Sequence, residues 1–274
     1  MRLMEPERSA AHGAMTRAAG AVLALVVAGI AGIHDSPALP SGEAGTAEAG
    51  AHLIGWWQLD EGTGEIAADS SGNGNVATIR NGGWGEGRIG GALEMDGGDD
   101  GIVVVPMSES LKSATRDLTL MAWTYRTAEH NVAVVAHAYP MLFLGFHGDR
   151  FKWQIGDEAG GFWGRVGRKL GLVSATGASC YGGRDHPAAL GRWIHVAATY
   201  DGKHARLYAD GAEICRQPFS GSLNFNDSPI TMSGYLSGAG ATVDEITGRL
   251  DDVRFYDRAL GAADIRAIFL GGAE

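Results

Sequence analysis

Apolar and polar side chains alternate along residues 192–211 with the period of two that a β-strand imposes. The first half of this stretch divides into two faces, with Trp193, His195, Ala197 and Thr199 on one side and Ile194, Val196, Ala198 and Tyr200 on the other. Asp201-Gly202 supplies a tight turn, and Asp210-Gly211 supplies a second one. The pattern therefore predicts a hairpin, and a hairpin needs a larger antiparallel sheet to bury its apolar face.

Short runs of the same kind recur between turn signals throughout the chain after residue 52. Candidate strands lie at residues 53–59, 75–79, 91–95, 101–105, 118–125, 132–138, 141–147, 150–155, 221–225, 229–234 and 248–257. This number of strands at hairpin spacing favours an all-β sandwich or barrel over an α/β fold. Residues 156–191 show no clear period and are interpreted as long loops with one or two short strands.

One short helix is predicted near the end of the chain. Leu260, Ile265, Ile268 and Phe269 share a helical face, and Gly271 offers a C-terminal cap.

Composition supports the all-β prediction and narrows the choice of partners. The chain of 274 residues contains 43 glycines and is 45% hydrophobic, which indicates many turns between packed strands rather than disorder. The formal net charge is −10, and the sequence contains no strong cluster of Lys and Arg. Nucleic-acid binding requires a basic footprint, so we expect no nucleic-acid partner.

The N-terminal segment has the pattern of a signal peptide. Residues 18–33 form an apolar run that is short for a membrane span, Arg17 precedes it, and small residues near Ala38 suit cleavage. Residues 1–38 are thus interpreted as a signal peptide, 39–51 as a flexible linker and 52–274 as one domain. An uncleaved N-terminal anchor is the alternative interpretation of the first segment. We expect a secreted or extracytoplasmic monomer whose mature chain has no membrane span.

The two cysteines, Cys180 and Cys215, lie on either side of the predicted hairpin. In an oxidising compartment they are candidates for a disulfide, although two free buried thiols are an alternative that the sequence leaves open. The histidines are scattered without the spacing of a zinc site.

Four segments together resemble the laminin-G-like, concanavalin-A-like jelly-roll family of secreted bacterial proteins. They are WWQLDEGTGEIAADSSGNGN at residues 56–75, GRIGGALEMDGGDDGIVVV with DLTLMAWTYR at 87–126, the hairpin at 192–211, and GRLDDVRFYDRALGAADIRAIF at 248–269. The resemblance implies a two-sheet antiparallel jelly-roll sandwich with a short C-terminal helix and with its first and last strands adjacent. The family hosts binding modules and glycan-cleaving enzymes alike, so it does not fix the function.

The resemblance also implies a structural calcium ion. Asp69, Asn73 and Asp251 are the candidate ligands, with Asp60 and Asp96 in reserve, because carboxylate and amide oxygens in glycine-rich loops suit Ca²⁺. In the alternative interpretation, Asp69 and Asn73 form hydrogen-bonded turns and Asp251 binds backbone amides. Strand alternation places Asp251 on the inward face that also carries Val253 and Phe255.

Catalytic chemistry has only weak support in the sequence. No strand carries the closely spaced carboxylates of a retaining glycosidase, since Asp244-Glu245 and Asp251-Asp252 are adjacent and point to opposite faces. Lyase chemistry could use histidine with tyrosine and arginine, for which the chain offers His147, Arg150, His195 and Tyr200.

Aromatic residues in loops give a more specific hypothesis. Phe162 with Trp163 forms the first candidate pair for stacking on a sugar, and Trp84, Tyr139 and Tyr181 are further candidates. The tryptophans at 123, 153 and 193 lie in predicted strands and are assigned to the core. We therefore expect a non-catalytic module that binds a glycan or an extracellular protein, the alternative being a polysaccharide-active hydrolase or lyase.

Overall fold

The computed structural model of the chain describes residues 50, 52–98, 100–139, 141–156, 177–182 and 187–272. The compact unit Ser41–Glu274 contains all of them. The predicted signal peptide and, apart from residue 50, the predicted linker lie outside the described residues. Within the described ranges, no helix combines the length and the apolar character that crossing a membrane requires.

The regular secondary structure of the described residues consists mostly of strands. In chain order the strands are β1 (Leu53–Trp57), β2 (Ile66–Ala67), β3 (Ala77–Arg80), β4 (Gly83–Glu86), β5 (Gly91–Asp96), β6 (Ile102–Val105), β7 (Asp117–Arg126), β8 (Val132–His137), β9 (Leu142–His147), β10 (Arg150–Gly156), β11 (Gly177–Tyr181), β12 (Trp193–Asp201), β13 (His204–Ala209), β14 (Ala212–Pro218), β15 (Ile230–Met232), β16 (Tyr235–Leu236), β17 (Thr242–Val243) and β18 (Thr247–Tyr256). The helices are α1 (Glu109–Lys112) and α2 (Ala262–Gly271).

The strands form two large antiparallel sheets and one small hairpin. Sheet A has the order β14-β13-β12-β7-β18-β5-β4, and β1 also pairs with β18, so the first and last strands are adjacent as predicted. Sheet B has the order β11-β10-β9-β8-β15-β6-β3-β2, and β16 pairs with β17. The predicted all-β, two-sheet jelly-roll sandwich with one short C-terminal helix is confirmed.

The hairpin of β12 and β13 shows how alternation builds the core between the sheets. Ile194, Val196, Ala198 and Tyr200 belong to the central core, as the period of two predicts. Gly202 and Gly211 both have a φ of 75°, which only glycine adopts at low cost, and Asp210 also has a positive φ of 48°. The Asp201 carboxylate accepts hydrogen bonds from the amides of Lys203 and His204.

The outer face of sheet A carries a second, smaller core. Met121, Ala197, Tyr208, Tyr256, Leu260 and Ile265 cluster there. The ring centroid of Phe269 on α2 lies 5.6 Å from that of Trp123 on β7. Helix α2 thus covers the face of sheet A that points away from sheet B.

A disulfide joins the edges of the two sheets. Cys180 on β11 and Cys215 on β14 are bonded, with their Cα atoms 5.8 Å apart. The predicted disulfide is confirmed, and β11 also shows that the poorly patterned region 156–191 contains a strand.

Two local predictions were wrong. Residues 221–225 form no strand, because Leu223 donates its amide hydrogen bond to the Thr115 carbonyl and the Tyr200 hydroxyl bonds to Gly221 instead. Helix α2 ends at the cap residue Gly272 rather than being capped by Gly271.

Candidate functional site

The outer face of sheet B differs from its inner face in side-chain chemistry. Trp153 and Ile155 of β10 point into the core, whereas Lys152 and Gln154 alternate with them and point outward. Across the sheet Gln154 lies opposite Phe143, and Lys152 lies opposite Tyr181. Strand pairing therefore gathers polar and aromatic side chains on this face.

Two tyrosines from outside the large sheet stack on this face. The rings of Tyr139 and Tyr235 have centroids 4.4 Å apart and planes 24° apart. The Phe143 ring meets the Tyr139 ring edge-on, with a centroid separation of 5.6 Å. Tyr139 is 40% exposed, so the pair presents aromatic surface to solvent while Phe143 supports it from the sheet.

A cleft of about 330 Å³ opens beside these rings. Its walls combine aromatic and hydroxyl side chains with one imidazole, contributed by Tyr139, Tyr235, Thr231, Ser228, Ser237 and His137. Ligand pockets characteristically combine such apolar walls with a few polar groups. This combination suits a ligand with both apolar faces and hydroxyl groups.

Charged groups lie directly behind the tyrosines. The Lys152 ammonium is 4.6 Å from the centroid of the Phe143 ring and 5.5 Å from that of Tyr139, within the range of cation–π attraction. Burial raises the pKa of Asp244, and the positive charge of Lys152 partly opposes this effect. Burial also raises the pKa of Tyr235, so its phenol stays neutral and can donate a hydrogen bond.

His137 forms the inner wall of the cleft. Its Nδ1 lies 3.4 Å from the Pro229 carbonyl oxygen, and its ring lies 4.9 Å from that of Phe225. Burial lowers the pKa of His137, which keeps the imidazole neutral at physiological pH.

Tyr181 lies at the edge of the same face. It is 37% exposed, and the Arg150 guanidinium carbon lies 5.0 Å from its ring centroid. The structure thus places this predicted residue on the same outer face of sheet B as Tyr139.

The other predicted sugar-stacking residues do not join this face. Phe162 and Trp163 lie outside the described residues. Trp84 lies on β4 of sheet A, packs partly against the core and donates a hydrogen bond from Nε1 to the Gly64 carbonyl. It lines a separate depression of about 770 Å³ with Glu94 and Asp96. Ligand binding by these residues stays a prediction.

The three tryptophans assigned to the core have different environments. Trp153 is fully buried in the central core, as predicted. Trp123 is buried on the outer face of sheet A, beneath α2. Trp193 is only half-buried and meets Tyr125 edge-on at 5.6 Å, so its assignment to the core was wrong.

The loop of Asp69 is held by hydrogen bonds. Oδ1 of Asp69 accepts from the amides of Trp56 and Ser71, and Oδ2 accepts from the Ser71 hydroxyl and the Asn75 amide. Burial raises the pKa of Asp69, but these hydrogen bonds outweigh that effect and hold the pKa below its ordinary value. The Asn73 side chain donates to the Leu53 carbonyl and to the Ser71 hydroxyl.

Asp251 is held by backbone amides other than those that bind Asp69. Its Oδ2 accepts hydrogen bonds from the amides of Arg88 and Ile89, at 2.7 and 2.9 Å. A bulge in β18 shifts the alternation after Asp251, which lies opposite Trp123 and faces away from the central core that holds Val253 and Phe255. The predicted inward orientation was wrong for that reason.

These hydrogen bonds do not add support for a calcium ion at the three predicted ligands. The hydrogen bonds that define the alternative interpretation are present, and an ion would have to replace some of those on Asp69. The described part of the chain contains no group of three or more His, Cys, Asp or Glu side chains placed to hold a metal. Calcium binding at Asp69, Asn73 and Asp251 stays a prediction.

The residues considered for lyase chemistry are divided between the sheets. His147 and Arg150 lie opposite each other on β9 and β10. His195 is buried on the outer face of sheet A, where burial lowers its pKa to about 3, and Tyr200 lies in the central core. Only His147 and Arg150 therefore share a face with the cleft.

Residues 96–266 match the concanavalin A-like lectin/glucanases superfamily (Laminin_G_3). This match covers more than half of the chain, and the chain belongs to that superfamily. No curated protein gives a significant sequence match.

Solved structures share the fold at low sequence identity. The binding domain of Paraclostridial Mosquitocidal Protein 1 superposes with a TM-score of 0.62 and 15% identity, covering 81% of this chain and 52% of that one. The ligand binding domain of botulinum neurotoxin serotype D, in complex with N-acetylneuraminic acid, superposes with a TM-score of 0.60 and 13% identity. The match covers 83% of this chain and 52% of that one. This chain therefore spans about half the length of those domains.

Domain 4 of AbnA, an extracellular arabinanase from Geobacillus stearothermophilus in complex with arabinotriose, matches over nearly its whole length. It superposes with a TM-score of 0.52 and 14% identity, covering 79% of this chain and 98% of that domain. At these identities the similarities establish the fold alone.

Sequence reasoning found Tyr139 and Tyr181 but missed the partners that shape the site. Tyr235 and Thr231 come from a later part of the chain and reach the cleft through the pairing of β15 with β8. Of the residues that were missed, Lys152 could have been found most readily from the sequence, because it alternates with apolar residues in a strand and so faces away from the core.

Proposed function

We propose that this protein is an extracytoplasmic binding module that recognises a glycan in the cleft beside Tyr139 and Tyr235. The stacked tyrosines carry the proposal, because aromatic rings pack against the C–H faces of a sugar while neighbouring hydroxyl groups bond to its polar edge. Thr231, Ser228 and Ser237 supply such hydroxyl groups around the cleft. The sugar ligands named for the botulinum neurotoxin and arabinanase structures support the same class of ligand.

The disulfide supports an extracytoplasmic location. Structural disulfides form and persist in oxidising compartments, and Cys180 and Cys215 are bonded to each other. Among the residues that the structure describes, no cysteine is left free.

Binding is tested with the full chain on a glycan array, followed by titration of the best glycan. We expect Tyr139→Ala and Tyr235→Ala each to weaken binding at least tenfold, which corresponds to about 1.4 kcal/mol. Tyr125→Ala is the matched control, since Tyr125 is a partly exposed tyrosine on the outer face of sheet A.

Two results would contradict the proposal. One is a wild-type chain that binds no glycan, and the other is equal loss of binding in Tyr125→Ala and the two cleft variants. The same incubations are analysed for shortened or unsaturated glycan products. Such products, lost in His147→Ala, would replace a binding role with the hydrolase or lyase alternative.

A further inference from the structure

Three basic side chains surround Tyr181 on the outer face of sheet B. Arg150 and Lys152 are two residues apart on β10 and share a face, His147 lies opposite Arg150, and Tyr181 lies opposite Lys152. The His147 and Tyr181 rings meet edge-on, with centroids 6.4 Å apart. Gly145, opposite Lys152 on β9, adds no side chain to this group.

The Arg150 side chain makes a cation–π contact. Its guanidinium lies over Tyr181, and its Nε donates a long hydrogen bond of 3.4 Å to the Gly182 carbonyl. Within the described ranges, neither Arg150 nor His147 forms an ion pair, and both are exposed. A guanidinium in cation–π contact with a ring keeps its terminal N–H groups available for a carboxylate or sulfate.

The strand arginines on the outer face of sheet A behave differently. Arg206, Arg216, Arg249 and Arg254 each have a carboxylate oxygen within 4 Å, the pairs being Arg206–Asp201 at 2.7 Å, Arg216–Glu213 at 2.9 Å, Arg249–Glu94 at 3.6 Å and Arg254–Asp252 at 2.9 Å. In a chain with a net charge of −10, acidic partners are abundant. Among the described residues no carboxylate pairs with Arg150, which leaves its positive charge beside the exposed ring of Tyr181.

Three acidic side chains of the described residues interact with cations other than Arg150. Asp149 and Glu129 interact electrostatically with the buried Arg126. Asp244 interacts with Lys152 and more weakly with His147, and burial raises its pKa. These three carboxylates therefore do not supply an ion-pair partner for the Arg150 guanidinium.

We propose that Arg150, His147 and Tyr181 form a second subsite that accepts an acidic sugar unit, through its carboxylate or sulfate group. This inference rests on the proposed glycan-binding function and extends it, because the ligand would then be an acidic polysaccharide that reaches from the cleft to the β11 edge of sheet B. The sugar ring packs on Tyr181, and Arg150 with His147 donates hydrogen bonds to the anionic group.

The test compares three probes on the full chain: an oligogalacturonate that carries carboxylates, a dextran sulfate oligomer and a neutral arabino-oligosaccharide. We expect one of the two acidic probes to bind at least tenfold more tightly than the neutral one at low salt. Arg150→Gln should remove that preference and reduce the salt dependence of binding, while binding of the neutral probe stays within twofold. Arg80→Gln is the matched control, because Arg80 is an exposed strand arginine elsewhere in sheet B.

The outcomes separate this inference from the function on which it rests. If both acidic probes bind no better than the neutral one, or if Arg150→Gln and Arg80→Gln have equal effects, the acidic subsite is refuted while glycan binding in the cleft stands. If Tyr139→Ala leaves all binding intact, the cleft itself is refuted. His147→Gln, which keeps a hydrogen-bond donor, should lose less of the acidic preference than His147→Ala.

Discussion

The outer faces of the two sheets are built by the same alternation of strand residues, yet they carry different chemistry. On sheet A, helix α2 covers an apolar cluster around Met121 and Ile265, and the strand arginines are paired with carboxylates. On sheet B, stacked tyrosines flank an open cleft, and Arg150 lies over the Tyr181 ring and pairs with no carboxylate of the described residues. The first face is therefore covered by other parts of the chain, whereas the second presents exposed aromatic and basic side chains among the described residues.

A buried row on sheet A shows how complete that coverage is. Asp251, Trp123 and His195 lie side by side on neighbouring strands. The Trp123 ring contacts both the His195 ring and Phe269 of α2, and Arg88 lies over it. One polar atom of each residue in this row has no hydrogen-bond partner among the described residues. The row contributes buried volume beneath α2 and offers no accessible surface to a ligand.

The largest expected effect comes from the covalent link between the two sheets. The Cys180–Cys215 bond closes a loop with a sequence separation of 35 residues, and a disulfide of this span contributes about 3–4 kcal/mol. We expect the Cys180→Ala/Cys215→Ala double variant to lose stability of that order in urea unfolding.

The double variant also tests whether the disulfide supports the binding face of sheet B. Cys180 precedes Tyr181 on β11, so freeing this strand should weaken binding of an acidic glycan more than binding of a neutral one. Wild-type protein with the disulfide reduced is the control, and it should match the double variant in both measurements. An unchanged unfolding midpoint would contradict the structural role of the bond.

The second-largest expected effect is on stability, comes from Asp251 on the outer face of sheet A, and depends on pH. Burial raises the pKa of Asp251 to about 7, opposed by the amides of Ile89 and Arg88 and reinforced by the charges of Asp252 and Asp60. Because this folded-state pKa lies above the unfolded value of about 3.9, the folded chain binds more protons between these two pH values. The stability contributed by Asp251 therefore falls as the pH rises from about 4 through 7.

Asp251→Asn removes this charge and keeps a side-chain oxygen that can accept hydrogen bonds from the turn. We expect the variant to gain about 1–3 kcal/mol relative to wild type between pH 5 and pH 8. Asp96→Asn, at an exposed position, is the control and should change the free energy of unfolding by less than Asp251→Asn does at pH 8. A constant difference for Asp251→Asn would show that its carboxylate is already ionised at pH 5.

The smallest expected effect is that of a chelator. Four hydrogen bonds from protein donors already occupy the oxygens of Asp69, so we expect EDTA to leave the Tm unchanged. A fall in Tm that added Ca²⁺ restores would establish the predicted ion, because a ligand bound only to the folded state must stabilise it. Asp69→Ala should weaken that response if Asp69 is a calcium ligand.

The fold could be predicted from the sequence because its determinants are local. The alternation of Ile194, Val196, Ala198 and Tyr200 fixes which face of β12 enters the core, and the Asp-Gly pairs fix the turns on either side of β13. The same rule assigned Asp251 to the wrong face. One extra residue in β18, with Asp252 at a φ of 49°, shifts the alternation, and a bulge leaves no reliable mark in the sequence.

The sequence by itself determined the strand faces, the tight turns, the short C-terminal helix and the family, since each depends on neighbours along the chain or on a recurring motif. Only the tertiary structure decided what covers each face. Trp123 and Lys152 both point away from the central core, but Trp123 lies beneath α2 whereas Lys152 lies behind Tyr139. Tyr139 and Tyr235 are far apart in the sequence, with strands β9 to β15 between them, and they stack only because β15 pairs with β8. Contacts of that range are set by the order of strands in a sheet, which alternation within each strand does not specify.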